Sequence, residues 1–384
     1  MSTSAGVVPF FRPTHVAGEG ERMAAAVARG ALAGDGPFGH EVEALLAEQL
    51  GVARVLLTPS GTAALELAAL ALELEPGDEV IVPSFAFPST ANAVALRRAT
   101  VVFAEVEPST LNLDVAHAAS LVTDRTRAVL PIHYGGIASQ VEELEGLATR
   151  HDLAVLEDAA HALFGGWRGR PLGSLGRFAA FSFHATKNVT CGEGGALAVA
   201  DPAAVERVEI MREKGTDRAR FLRGEVVRYT WVEEGSSYLL AEPLAAMLLA
   251  QLEDSARVQA ARERRWRDYE AALRSWADLV GATLPAVPDG AEPAWHSFWV
   301  LVPEVADRDP FMDHLRSAGI GSAFHFQPLH SSTMGRRLAG GTAPAHLPVT
   351  DSVAGRLVRL PFFTDLTDDE HSRTVEAVLA FRPA

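Results

Sequence analysis

Phe181-Ser182-Phe183-His184-Ala185-Thr186-Lys187-Asn188, followed by Gly192-Glu193-Gly194-Gly195, is the stretch on which the reading of this chain turns. An apolar, aromatic run ends at a lysine. Lys187 and Lys214 are the only two lysines in 384 residues, and arginine supplies every other Lys/Arg-type cation. An ordinary lysine amine has a pKa of about 10.4, whereas one that must attack a carbonyl needs a value about three units lower. Desolvation and nearby cations can supply that shift, on the order of 4 kcal/mol. The alternative is a lysine on a surface turn, but arginine fills surface roles almost everywhere else in this chain. Lys214, in Arg212-Glu213-Lys214-Gly215, reads as a solvated helix end.

Upstream and downstream of Lys187, strand-like apolar runs alternate with helical patterns. The runs are Arg54–Leu57, Glu79–Val82, Thr100–Phe103, Ala128–Ile132, Ala154–Leu156, Phe178–Phe183 and Ala196–Val199, with helices such as Thr62–Leu74 and Val141–Arg150 between them. That alternation predicts an α/β fold, a mostly parallel sheet covered by helices, with ligands at the carboxyl ends of the strands. One long helix is expected from Pro243 to about Leu273. After it come strands Ser297–Val302 and Ile320–Phe326 and helices Asp309–Ala318 and Asp368–Leu379. The expected division is a large domain over 1–250 and a small α+β domain over 251–384.

Composition narrows the classes. Hydrophobic residues make up 48% of the chain, ample for a core, yet no apolar run approaches the ~20 residues of a membrane helix. Met1–Arg12 lacks a basic-then-apolar leader pattern, and Cys191 is the single cysteine, so a reducing, cytoplasmic setting is expected. A net charge of −15 argues against nucleic-acid or anionic-membrane binding, so an anionic ligand must be held by a local group of donors.

Two further motifs complete a pattern. In Thr58-Pro59-Ser60-Gly61-Thr62, Ser60 can cap the following helix and Gly61 lets backbone amides approach a phosphate; an ordinary capped helix gives the same pattern. In Leu153-Ala154-Val155-Leu156-Glu157-Asp158-Ala159-Ala160-His161 a strand ends in two acids, and a carboxylate there can take a hydrogen bond from a protonated pyridine nitrogen. A helix-capping Asp158 with a structural His161 is the alternative. Ser182, five residues before Lys187, can offer its hydroxyl to a phosphate. Phosphate cup, acid and amine, in chain order at successive strand ends, fit pyridoxal phosphate.

On these residues the chain resembles the DegT/DnrJ/StrS sugar-nucleotide aminotransferases, over nearly its whole length. The matching segments include Gly34-Asp35-Gly36, Thr58–Leu65, Pro76–Val80, Glu157–His161, Ser182–Asn188 and Gly192–Gly195. The stretch from Lys214-Gly215-Thr216 to Tyr229-Thr230-Trp231, with Gly235-Ser236-Ser237-Tyr238, is similar to the WecE branch. The resemblance implies a pyridoxal-phosphate-dependent transferase of fold type I (aspartate-aminotransferase-like). It makes Lys187 the Schiff-base lysine, pairs Asp158 with the pyridine nitrogen and puts His161 beside the phenolic oxygen. Phe87 is then the aromatic that stacks on the ring, and Ser60, Gly61, Thr62 and Ser182 surround the phosphate. Ser237 stands where many relatives reach the partner subunit's phosphate with an asparagine, which implies a homodimer with shared sites.

The branch resemblance further implies amination at C4 of a TDP-4-keto-6-deoxyhexose with L-glutamate as donor, 2-oxoglutarate as co-product and ping-pong kinetics. Amination at C3, a UDP-linked acceptor and a non-catalytic sugar-nucleotide sensor are the competing readings. For the substrate, Arg220 and Arg223, in a cluster with Arg218 and Arg228, are candidates for the diphosphate, though a solvated basic loop reads equally well. Tyr134, His325 and His330 are candidates for the sugar pocket, and His296 is either a core residue or a contact. The His325/His330 pair lacks an evident third ligand, so no metal is expected.

Overall fold

All seven strand segments expected from the alternation enter one sheet. The computed structural model describes residues 6–30, 32–339 and 345–383, so the first five residues of the Met1–Arg12 stretch lie outside it. In chain order the strands are β1 (Arg54–Thr58), β2 (Glu79–Pro83), β3 (Thr100–Ala104), β4 (Thr126–Val129) and β5 (Ala154–Asp158). A short hairpin follows, β6 (Gly166–Trp167) and β7 (Arg170–Pro171), and then β8 (Phe178–Ser182) and β9 (Gly195–Val199). The spatial order is β1-β9-β8-β5-β4-β2-β3. Only β9 runs against its neighbours, pairing antiparallel with both β1 and β8. Strand β2, Glu-Val-Ile-Val-Pro, is buried at every position, as parallel strands covered on both faces must be. Strand β4 stops earlier than expected, at Val129, because Pro131 has no N–H to continue the ladder.

The helices obey the same logic. Gly61–Ala71 is apolar almost all round and packs against β8, β9 and the Pro88–Leu96 helix. The long helix expected from Pro243 is in fact two, Glu242–Glu253 and Ser255–Val280, with Asp254 between them at φ −100°, ψ 9°. The break follows a change of partner. Ala245, Ala246, Leu248 and Leu249 join the core of the large sheet, whereas Trp266, Tyr269, Leu273 and Trp276 face a second core. That second core gathers Phe298, Phe311 and Val358 around β11 (Trp299–Leu301) and β12 (Leu357–Arg359), after a two-residue strand β10 (Ala291–Glu292) that extends the β6–β7 hairpin. Val8 also belongs to it, bridged to Ile320, so the N-terminal segment packs outside the 1–250 unit expected from sequence. The expected strand Ile320–Phe326 is absent: only Ile320 and Ala323 make isolated bridges, and Phe326 turns the backbone at φ 40°. No helix among the described residues is long and apolar enough to cross a membrane.

Two features position the site. Gly195 lies against the Ser60–Gly61 turn so closely that an added Cβ would sit 2.3 Å from the Ser60 carbonyl carbon, which fixes glycine there. On β5 the two acids point to opposite faces, as strand alternation requires. Glu157 is fully buried and accepts hydrogen bonds from the N–H groups of Gly173, Leu175 and Gly176 at 2.7–2.8 Å and from His133 Nε2 at 2.9 Å. It is therefore the structural acid, and it ties the 173–176 turn to the sheet. Replacing it by alanine strands four donors, two of them buried and two part-buried, so Glu157→Ala is expected to lower the unfolding free energy by about 3 kcal/mol or more in denaturant titration. A loss below about 1 kcal/mol would contradict that role.

Candidate active site

The sheet topology brings four chain segments to one edge. Strands β5 and β8 are parallel neighbours, with Asp158 in register with Ala180, so Asp158 and Ser182 emerge together. Because β9 runs antiparallel to both β8 and β1, Thr58 ends on the same side, and the Gly61–Ala71 helix starts there. A cavity of about 650 Å³ opens at this edge, lined among others by Ser60, Gly61, Thr62, Phe87, Asp158, His161, Ser182 and Lys187. The second unit contributes His296, Ser297, Phe324, His325, Phe326 and Arg359 to its other wall.

Lys187 is not on the strand. Strand β8 ends at Ser182, and Lys187 sits on the turn that follows, its N–H bonded to the His184 carbonyl at 2.9 Å. Burial lowers its amine pKa to about 8, opposed by the Asp158 charge and reinforced by Arg359. Next in sequence, Asn188 clasps the turn to the second unit. It donates to the Ala294 carbonyl at 2.6 Å and accepts from His296 Nδ1 at 3.0 Å.

Asp158 is buried, with 6% of its surface exposed. Burial raises its pKa, while the Thr90 hydroxyl at 2.7 Å, the Ala160 N–H at 3.2 Å and the Lys187 charge work the other way. A carboxylate so placed has a strong demand for a cationic hydrogen-bond donor.

Around these two groups stands a set of neutral imidazoles. Burial, together with nearby cations, holds His161, His296 and His325 well below the usual histidine range. His161 stacks on His296 with ring centroids 4.1 Å apart, and its buried Nδ1 has no hydrogen-bond partner among the described residues. Since Asn188 accepts from His296 Nδ1, that ring presents a bare Nε2. Tyr134 is wholly buried behind the cavity, its hydroxyl 2.7 Å from His325 Nδ1. Burial raises the Tyr134 pKa, so the phenol keeps its proton and donates it.

At the far end, Ser60 caps the helix by accepting the Ala63 N–H at 3.0 Å, and the Thr62 hydroxyl lies 2.7 Å from that of Ser89. The first amides of the helix have no carbonyl partner within it, and Ser182 packs close against Gly61. This is a cradle for a phosphate.

Other residues singled out from the sequence lie elsewhere. His330 is buried, bonded through Nδ1 to the Ser84 hydroxyl at 2.7 Å, and does not line the cavity; it fastens the 329–330 turn to the segment after β2. Arg220, half-buried on the Arg218–Leu222 helix, and Arg223, exposed just after it, pair with Glu206, Glu209 and Glu225 and do not line the cavity either. Ser237 is exposed, in a bridge with Glu213, and Lys214 pairs with Glu213 in the same loop. Sequence reasoning missed Thr90 and Arg359. Thr90 carries no signal, since only the fold brings it to Asp158. Arg359 did carry one, as a lone cation inside Leu357-Val358-Arg359-Leu360-Pro361-Phe362.

A family model for the DegT/DnrJ/EryC1/StrS aminotransferases matches residues 15–379. The chain belongs to that family. Among solved structures, it is similar to the aminotransferase TlmJ from Streptoalloteichus hindustanus, at 28% identity and TM-score 0.89 over 98% of both chains. It is also similar to DesV from S. venezuelae, at 31% identity and TM-score 0.88 over 98% of both chains. The sugar aminotransferase CalS13 from Micromonospora echinospora matches at 27% identity and TM-score 0.88, over 97% of this chain and 98% of that one.

As a member of this family the protein is a pyridoxal-phosphate-dependent aminotransferase of fold type I. The residues present fit the cofactor. Lys187 supplies the amine and Asp158 a carboxylate in need of a cationic donor, His161 has an unpartnered nitrogen, and the start of the Gly61–Ala71 helix is free for phosphate. When bound, pyridoxal phosphate supplies an electron sink for breaking a C–H bond beside nitrogen.

Borohydride treatment of the holoenzyme, followed by peptide mapping, is expected to place the reduced adduct on Lys187. Lys187→Ala should abolish turnover, while Lys214→Ala stays within about threefold. Equal losses would overturn the assignment. Only the neutral amine attacks an aldehyde, so reconstitution of the apoprotein is expected to speed up about tenfold per pH unit below 8 and to level off above it. A profile flat from pH 6 to 9 would contradict the lowered pKa.

Proposed function

We propose that this aminotransferase moves the amino group of L-glutamate to C4 of a TDP-4-keto-6-deoxyhexose, giving a TDP-4-amino-4,6-dideoxyhexose and 2-oxoglutarate. The observation that carries the reading is the Lys187–Asp158 pair in one cavity, with the lysine pKa near 8 and the carboxyl pinned by Thr90. The opposite wall suits a deoxysugar. Phe324 and Phe326 offer flat apolar faces, and His325, stacked on Phe326 at 3.7 Å, adds an imidazole nitrogen for a hydroxyl. A sugar substrate agrees with the sugar aminotransferase CalS13 among the similar structures. The choice of C4 and of TDP rests on the Lys214–Tyr238 stretch and its WecE-like pattern.

The division of labour follows from position. Lys187, displaced by the incoming amino donor, is the base that lifts the donor's Cα proton and the acid that returns one. Asp158 would keep the ring nitrogen of a bound cofactor protonated, which makes the ring an electron sink for the Cα–H bond. His161 would stand beside the phenolic oxygen as a neutral hydrogen-bonding partner, and Phe87, 58% exposed at the mouth, would cover the ring face. The acceptor sugar then receives the nitrogen by the same groups working in reverse.

We also propose a homodimer. Ser237 lies outside the cavity of its own chain, and the loop before it exposes Phe221, Leu222, Val227 and Trp231, the last two at 96% and 76%. A second copy that buried this loop would bring Ser237 to the neighbouring phosphate site.

Two measurements test the reading. With L-glutamate and TDP-4-keto-6-deoxyglucose, 2-oxoglutarate and a C4 amine are expected in equal amounts, with NMR giving the position and configuration. Amine at C3, or turnover only with a UDP-linked ketone, would replace the substrate. Asp158→Ala is expected to lower kcat by at least about 100-fold and more than His161→Ala does, since only Asp158 governs the ring nitrogen. The reverse order would remove Asp158 from that role.

A further inference from the structure

Two of the three imidazoles around the site have their tautomer dictated by a buried partner, and in opposite senses. Asn188 directs its amide N–H to the Ala294 carbonyl, so its oxygen takes the proton of His296 Nδ1 and leaves that ring's Nε2 bare. His325 is the reverse. Its Nδ1 lies 2.7 Å from the hydroxyl of Tyr134, a wholly buried residue whose hydroxyl has no other partner among the described residues. A buried phenol with one polar neighbour must donate to it, because an unmade bond there costs about 1–3 kcal/mol. His325 Nδ1 is therefore the acceptor, and the ring's single proton sits on Nε2. Burial, with the charges of Arg359 and Lys187, keeps a second proton off.

The lock is rigid. The Tyr134 N–H donates to Asn112 Oδ1 at 2.7 Å, and the Asn112 amide in turn donates to the Ile137 and Ala138 carbonyls at 3.1 and 2.9 Å. Phe85 and Phe326 pack against the phenol ring at centroid distances of 5.3 and 5.9 Å. His325 stacks on Phe326 at 3.7 Å and lines the cavity, and its Nε2 has no partner among the described residues. A free imidazole could flip or move its proton to the other nitrogen. This one is denied both.

Position and tautomer together select an oxygen. His325 stands 6.1 Å from His161, ring to ring, and feels the Lys187 charge, so it belongs to the reacting end of the cavity. A ketone that takes up nitrogen must bring its carbonyl carbon to that end, and its oxygen arrives with it. A hydroxyl can bond to either tautomer, since it both donates and accepts. A ketone oxygen only accepts, so it is served by the N–H form alone. A neutral imidazole N–H can also polarise a carbonyl while keeping its own proton.

We propose that Tyr134 is a positioning residue: it locks His325 as the Nε2–H tautomer and so aims a neutral donor at the ketone oxygen of the nitrogen acceptor. This deepens the sugar-pocket role of His325, giving its nitrogen the reacting carbonyl in place of a ring hydroxyl. It rests on transfer of nitrogen to a ketone, not on TDP or on C4. Tyr134 itself does not line the cavity and acts only through the imidazole.

The test uses the holoenzyme with Tyr134→Phe, His325→Phe and the double variant, each first checked for melting temperature and cofactor absorbance. Nitrogen NMR of protein labelled in its histidines, with the His325 signals assigned by their loss in His325→Phe, reads the tautomer directly. The wild type is expected to show a proton on Nε2 and a bare Nδ1; a proton on Nδ1 would overturn the proposal. In single turnovers from the pyridoxamine-phosphate form with saturating keto sugar, Tyr134→Phe is expected to slow amination on the order of 10-fold. His325→Phe should slow it on the order of 100-fold. The double variant should stay within about twofold of His325→Phe, because Tyr134 has nothing left to act through. Losses that multiply would make Tyr134 a packing residue and overturn the proposal, as would a wild-type rate in Tyr134→Phe. If His325→Phe misfolds, His325→Ala takes its place in both uses. The tautomer measurement needs no substrate, so an error in the acceptor appears separately, as a wild-type protein inert toward the TDP-linked ketone. The rate cycle is then run with 2-oxoglutarate, whose ketone reacts at the same end of the cavity, and the same order of losses is expected.

Discussion

Burial acting against the charge on Lys187 is the constraint from which the rest of the structure follows. Water would keep this amine protonated and inert; the cavity withdraws enough hydration to bring its pKa to about 8. The nearby Asp158 carboxylate pulls the other way, so the two groups must share a site without settling into a tight ion pair. Thr90 and the Ala160 amide accomplish this by engaging both oxygens of Asp158. The carboxylate is thereby oriented, and the lysine, on its separate turn, is left to react.

That arrangement depends on strand adjacency. Strands β5 and β8 are distant in function but parallel neighbours in the sheet, and their register sets Asp158 and the lysine turn at one edge. The pleat of β5 then sorts its two acids. Glu157 goes to the packing face, where it organises a turn and His133, and Asp158 goes to the cavity. A slip of one residue in β5 would exchange them and ruin both the packing and the chemistry. The second unit is bound to this edge through Asn188, which links the lysine turn to Ala294 and His296.

Much of this was legible in the sequence because it is local. The seven strand segments, the helix cap at Ser60 and the lysine in a lysine-poor chain are all written in contiguous residues. What was not legible depends on distance along the chain or on a competing partner. Thr90 reaches Asp158 across 68 positions. His330 looked like a pocket residue by its company with His325, yet Ser84 claims it. Arg220 and Arg223 looked like an anion site until the glutamates that neutralise them were placed. The long helix after Pro243 carried continuous helical propensity, and only the change of packing partner at Asp254 divides it.

The scarcity of lysine has a practical side. Of the two side-chain amines, Lys187 lies within the cavity, and Lys214 is about half exposed and paired with Glu213. With the cofactor in place, a succinimidyl ester has one lysine to find. Labelling at Lys214 therefore reports whether the loop that carries Ser237 is open to solvent.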